Sequence, residues 1–161
     1  MLHFRLPAAM AGRTRMHFKI GPMTGITFDI SRRHVLGLGC ERGTPPDEVV
    51  ALAAEALWLG GLVPGELAAI ASIDGRAGEP AIIEAARHFG VPMLFFSAAR
   101  LEEETPRLKN PSDIVFARVG CHGVAESAAL AACGRNAELA VPKIKSAHAT
   151  AAIARMRLQK E

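Results

Sequence analysis

The sequence has no tyrosine, a single tryptophan and only 5% aromatic residues. A recognition surface built on stacked nucleic-acid bases therefore has little to work with. Cysteine is equally sparse. Three residues are too few and too scattered for a disulfide scaffold, and an odd count suits a reducing, cytoplasmic setting. The longest stretch free of Asp, Glu, Lys and Arg is 88–99, and Gly90 and Pro92 interrupt it. A bilayer span needs about 20 mostly apolar residues, so no transmembrane helix is expected. What is present, half hydrophobic and 22% charged residues in a chain of 161, has the balance of one globular domain.

The net charge of +3 is unevenly spread. Residues 1–33 hold Arg5, Arg13, Arg15, Lys19, Arg32 and Arg33 against Asp29 alone, a net +5, so residues 34–161 carry −2. A body of that sign lacks the broad basic face that binding to a phosphate backbone requires. No nucleic-acid partner is expected. Residues 1–33 have no sustained helical period and are punctuated by Gly12, Gly21, Pro22 and Gly25. They read as a disordered or loosely attached basic extension, followed by a domain over 34–155 and a tail over 156–161.

Within the body, strands and helices alternate. An apolar run bounded by glycine, 34–39, predicts a buried strand. Thr44, Pro45 and Asp47 then predict a helix start with Thr44 as N-cap, and Val49, Leu52, Ala53, Ala56 and Leu57 fall on one face. Gly60 and Gly61 stop that helix. Strands are expected at 67–73 and 93–96, with a helix over 79–89 between them whose apolar stripe is Ile82, Ile83, Ala86 and Phe89. Ser97 and Ser112 are placed to cap two short helices, and an alanine-rich helix spans 124–133. Two final strands, 138–143 and 148–153, flank a polar turn. The pattern predicts a three-layer α/β domain: an open mixed sheet of about five strands, helices on both faces, and an antiparallel C-terminal edge.

In such sheets ligands lie beyond the carboxyl ends of the strands. The first candidate is the loop Gly39, Cys40, Arg42, Gly43 and Thr44, whose glycines and following helix N-terminus suit an anion. Its spacing is one residue too long for the dinucleotide fingerprint, and no Lys follows Gly43, so a P-loop fails. A plain strand-to-helix turn is equally compatible. The second candidate joins Ser72, Asp74, Arg76 and Glu79, which can bind a polar ligand, position a water, or pair with one another. The third is the turn at Gly123 with Glu126, a base or a ligand partner, or simply a helix-end acid. Lys143 and Lys145 follow a strand and can reach the same rim, with Thr150 beyond them. No pair of cysteines or histidines has metal-ligand spacing, so neither a metal nor a cofactor is expected.

Five segments occur together in order: Gly37 to Thr44, Ala71-Ser72-Ile73-Asp74, Val91-Pro92-Met93, Val119-Gly120 with Val124 to Leu130, and Val141-Pro142-Lys143 with Ala149 to Ala154. In this combination the chain resembles the C-terminal domain family CobE/CbiG of cobalamin (vitamin B12) biosynthesis, in its stand-alone form. The resemblance implies an α/β domain that binds a corrin or precorrin intermediate, as a carrier or an assembly partner alongside other enzymes of the pathway. Larger relatives hydrolyse the lactone of cobalt-precorrin-5A, and for that chemistry Glu126 or Asp74 is the candidate base. Gly39, Cys40, Arg42, Gly43, Thr44, Ser72, Arg76, Gly123 and Lys143 are then the candidate substrate contacts. After Ser-Ile-Asp the family often has a Lys and an acid, where this chain has Gly75-Arg76-Ala77-Gly78-Glu79. The alternative, from outside the family, is a nucleotide- or phosphate-binding α/β module built on the Gly39–Thr44 loop.

Overall fold

The computed structural model describes residues 31–157, and beyond them only a short antiparallel pairing of Phe18–Lys19 with Thr27–Phe28. Of the extension read at residues 1–33, residues 31–33 are described, with buried Arg32 donating to the Leu67 carbonyl at 3.0 Å. Of the tail read at 156–161, Met156 closes the last strand and Arg157 follows it. Apart from these and that short pairing, the rest of both lies outside the described residues. Five strands form the sheet: β1 (His34–Cys40), β2 (Leu67–Ile73), β3 (Met93–Phe96), β4 (Ala137–Lys145) and β5 (Ala149–Met156), in the order β3-β2-β1-β5-β4. β1, β2 and β3 are parallel neighbours. β5 runs antiparallel between β1 and β4. The C-terminal hairpin is thus antiparallel as expected, but only β4 is the edge. β5 lies against the central strand.

Side chains alternate across the sheet as the two-residue strand period requires. Leu36, Leu38, Ile70, Ala151 and Ile153 face α1 (Pro46–Leu59) and α2 (Pro80–Phe89). Val35, Ala69, Ala71, Ile73, Ala154 and Met156 face α5 (Ala125–Cys133) and Leu101 of the short α3 (Ala98–Glu102). The face expected for α1 is buried residue for residue. In α2 the stripe is rotated: Ala81 and Ala85 are buried with Ile82 and Ala86, while Ile83 is exposed. The crowded contact with α1 takes the small alanines, and the bulkier Ile83 is left outside.

The helix caps divide by mechanism. The Ser97 and Ser112 hydroxyls accept the amides of Arg100 and Val115, capping α3 and α4 (Asp113–Val119) as expected. Thr44 does not cap α1, because Pro45 occupies the N-cap position. The Thr44 hydroxyl instead donates to the Glu41 carbonyl at 2.6 Å, closing the preceding loop on itself.

Glycine in β1 serves packing. A Cβ on Gly37 would lie 1.9 Å from the Ala125 carbonyl oxygen, so α5 sits directly on the strand. At Gly39 it would meet the Thr150 hydroxyl at 2.8 Å and Val124 at 3.2 Å. The close approach these glycines permit is that of helix to sheet, as β-strand glycine often signals. Among the described residues no helix is long and apolar enough to cross a membrane.

Candidate functional site

Beyond the carboxyl end of β1, the hairpin turn joining β4 to β5 and the helix α4 enclose a cleft of about 250 Å3. Gly39 and Cys40 form its inner end, and Val115, Val119, Val124 and Ala147 give it apolar walls. Arg76, Arg118, Lys143, Lys145 and His148 stand around it, with Glu41 as the one acidic residue among the lining groups. The cation excess is therefore local, on a body whose net charge is negative.

Three of these positions are fixed by identifiable contacts. The Arg76 Nε donates to the Cys40 carbonyl at 2.7 Å, which ties the loop after β2 to the end of β1. Lys143 owes its placement to a break in strand pairing: the β4–β5 register shifts between Val141 and Ile144, around Pro142 on the edge strand. That shift releases the Lys143 amide from the ladder, and it donates to Glu126 Oε2 at 2.8 Å. His148 is held by Glu48 of α1, which accepts its backbone amide at 2.7 Å and lies 3.0 Å from Nδ1. Hydrogen bonds from Ser146 and then His148 hold the Glu48 carboxyl down at about 2. The same carboxylate holds the His148 pKa above its usual value.

Of the residues expected to contact substrate, Gly39, Cys40, Arg76, Gly123 and Lys143 line the cleft, while Arg42, Gly43, Thr44 and Ser72 do not. Arg42 is exposed on the loop outside it. Ser72 is fully buried, its hydroxyl donating to the Leu38 carbonyl at 2.6 Å. The loop amides are already engaged: Glu41 N–H with the His148 carbonyl, Thr44 N–H with the Glu41 carbonyl, and Gly43 N–H with Glu79 Oε2 at 3.0 Å. A phosphate cradle needs free amides. This loop has spent three of them, and Glu79 already brings a carboxylate to Gly43.

Neither candidate base lies on the cleft. Asp74 is exposed in a 3-10 turn, where its carbonyl accepts the Ala77 amide. Glu126 is 2% exposed, and its two oxygens accept the amides of Lys109, Asn110 and Lys143 and the Asn110 side-chain amide, at 2.8–3.0 Å. A carboxylate has about four lone-pair sites, and all four are used. The helix-end position read from the sequence is correct, but the geometry makes Glu126 a tie between the 109–110 loop and β4, with no oxygen left for a water.

Arg118, His148 and the α4 valines escaped the sequence reading. α4 has no buried residue, so no core-facing stripe announces it. A period of three to four in Val115, Arg118 and Val119 is its one usable signal. Cys121 and Cys133 are buried, and burial pushes the Cys133 thiol up to about 12. Cys40 alone reaches the cleft, half-buried, with its pKa raised by burial and then by Glu79.

Fold and cleft together define a three-layer α/β domain with a cleft lined by Arg and Lys residues at the carboxyl end of its central strand. Residues 34–154 match the family model for the cobalamin synthesis G C-terminus, and the chain belongs to this CobE/CbiG family of cobalamin biosynthesis proteins. It is 63% identical over 120 residues to Protein CobE of Sinorhizobium sp, covering 74% of this chain and 78% of that one. A crystal structure of CobE, a protein from the cobalamin biosynthetic pathway, superposes with a TM-score of 0.74 at 35% identity, over 81% of this chain and 95% of the other. Cobalt-precorrin-5A hydrolase of Priestia megaterium is 29% identical over 119 residues, 74% of this chain but only 31% of the hydrolase.

Proposed function

We propose that the cleft binds a corrin-ring precursor by its carboxylate arms, and that the protein acts as a carrier or assembly partner in cobalamin biosynthesis. One observation carries the reading: four Arg and Lys residues and a histidine held by a carboxylate line, with a single acid, a cleft with apolar walls. Corrin precursors pair an apolar ring with a fringe of acetate and propionate groups, and charge-assisted hydrogen bonds suit that fringe. At about 250 Å3 the cleft takes an edge of the ring. The remainder would lie over α4, where Ile114 is 68% and Phe116 45% exposed.

This reading gives Glu126 and Asp74 no part at a reacting centre, so it is one of binding without turnover. Incubation with a lactone-bearing precorrin is expected to release no acetaldehyde. Titration with hydrogenobyrinic acid, followed by absorbance and by co-elution on gel filtration, tests the binding itself. Retention by the native protein, weakened about tenfold or more by the double charge reversal Arg118→Glu and Lys145→Glu, is the expected result. A native protein that elutes free of the corrinoid overturns it.

A further inference from the structure

Resting on that reading, we propose that His148, held by Glu48, is a specificity-determining residue that grips one carboxylate arm of the ligand only while its imidazole is protonated. His148 is a lining residue of the cleft, and about half of its side-chain surface is exposed. Nδ1 faces the Glu48 carboxylate at 3.0 Å, and Nε2 has no hydrogen-bond partner among the described residues. With Nδ1 committed to Glu48, the neutral ring keeps its proton there and leaves a lone pair at the unpartnered Nε2. That lone pair repels an incoming carboxylate. Protonation converts the same nitrogen into a donor and a positive charge, so a single proton reverses the sign of the contact.

Glu48 makes the arrangement more than a surface histidine. It accepts the Ser146 hydroxyl and the His148 amide as well as facing the ring, so both the backbone and the imidazole plane are set before a ligand arrives. The charged groups that act on His148 are Glu48 from α1 and Glu41 from the loop after β1, while Lys143 and Lys145 from β4, Arg76 after β2 and Arg118 from α4 line the same cleft. Hydrogen bonding and charge from Glu48 favour the imidazolium most, Glu41 adds to them, and burial opposes them. The permanent cations attract any anion. His148 adds a contact that distinguishes a carboxylate fringe in mildly acidic from mildly alkaline solution.

Hydrogenobyrinic acid binding measured between pH 5.5 and 8.5 tests this in the full chain, with its fully esterified form as a ligand lacking charged arms. In that range the ligand carboxylates stay ionised, since free carboxyls titrate near 4. Native affinity is expected to fall about fivefold as pH rises through a midpoint above 6.5. His148→Gln should remove that step, and Glu48→Gln should move its midpoint to lower pH. The ester should show no step. A step that survives His148→Gln unchanged, or an equal loss of affinity at every pH in that variant, overturns the inference while leaving the cleft reading intact. A native protein that binds the acid at no pH overturns both.

Discussion

Glu126 shows how a single buried polar side chain can organise a site without facing it. Three of its four donors are backbone amides, at Lys109, Asn110 and Lys143, with no other partner among the described residues. A buried amide left unsatisfied costs roughly 1–3 kcal/mol. Glu126→Gln turns one acceptor oxygen into an NH2 group aimed at a donor, so it should destabilise the fold by about 2–3 kcal/mol. A lowered urea midpoint with unchanged slope is the measurement that checks it. Asp74→Ala, at an exposed position, should stay within about 0.5 kcal/mol. Equal effects from the two would refute the assignment of Glu126 as a structural tie. Because Lys143 follows that tie, Glu126→Gln should also weaken corrinoid binding without abolishing it.

Between elements, the decisive contact is the seating of α5 on β1. The Gly37 position has no slack, since the atom 1.9 Å from an added Cβ is a backbone oxygen of the helix. Gly37→Ala must lift α5 from the sheet, and overpacking of this kind costs about 3 kcal/mol or more. Gly39→Ala meets a hydroxyl at 2.8 Å that can rotate away, so its cost should be smaller. Thermal unfolding of the two variants should rank them in that order, and the reverse ranking would contradict the packing described. The strands were readable in the sequence because both sheet faces are covered, which leaves near-continuous apolar runs at 34–39 and 67–73. The spread of the site was harder to read. Gly39 lines the cleft as a ligand loop would, but it also packs against Thr150 and Val124, and the Gly43 amide is taken by Glu79, residues brought close only by tertiary packing. For the same reason the pairing of Glu48 with His148, a hundred residues apart, leaves no local signature. Arg76 was found because it sits just past a strand, where the topology itself directs attention, and Lys143 because the apolar run ends there, although the strand itself continues to Lys145.

At the scale of the whole molecule, ionisable groups make stability depend on pH in two opposed ways. Glu48, Glu84, Glu102 and Glu138 are all held below 4.5 by hydrogen bonds, chiefly from Ser146, Arg87, His122 and Arg155 respectively. Carboxylates with depressed pKa values stabilise fully above the unfolded value and lose that contribution as pH falls through the folded one. His34 adds to the acid side. It is buried, and desolvation lowers its pKa, so the unfolded chain takes up its proton first, below 6.5. His148 runs the other way: its raised pKa contributes stability below 6.5 that is lost as pH rises through the folded value. The urea midpoint should therefore rise as pH falls toward 6.5 through His148, begin to fall below 6.5 through His34, and fall further below 4.5 through the four carboxylates, each of these surface pairs contributing modestly because solvent screens it. Glu48→Gln isolates one pair, because it removes both the Glu48 contribution to the acid limb and the cause of the His148 shift. The difference in midpoint between native protein and this variant should be largest between about pH 4.5 and 6.5, where Glu48 is ionised and His148 protonated in both the folded and unfolded chains. It should shrink toward pH 2 as the carboxylate is protonated, and above the folded His148 pKa as the imidazolium loses its proton. A difference that stays constant with pH would mean that Glu48 holds the hairpin by neutral hydrogen bonds alone, and the proton-dependent grip assigned to His148 would lose its electrostatic basis.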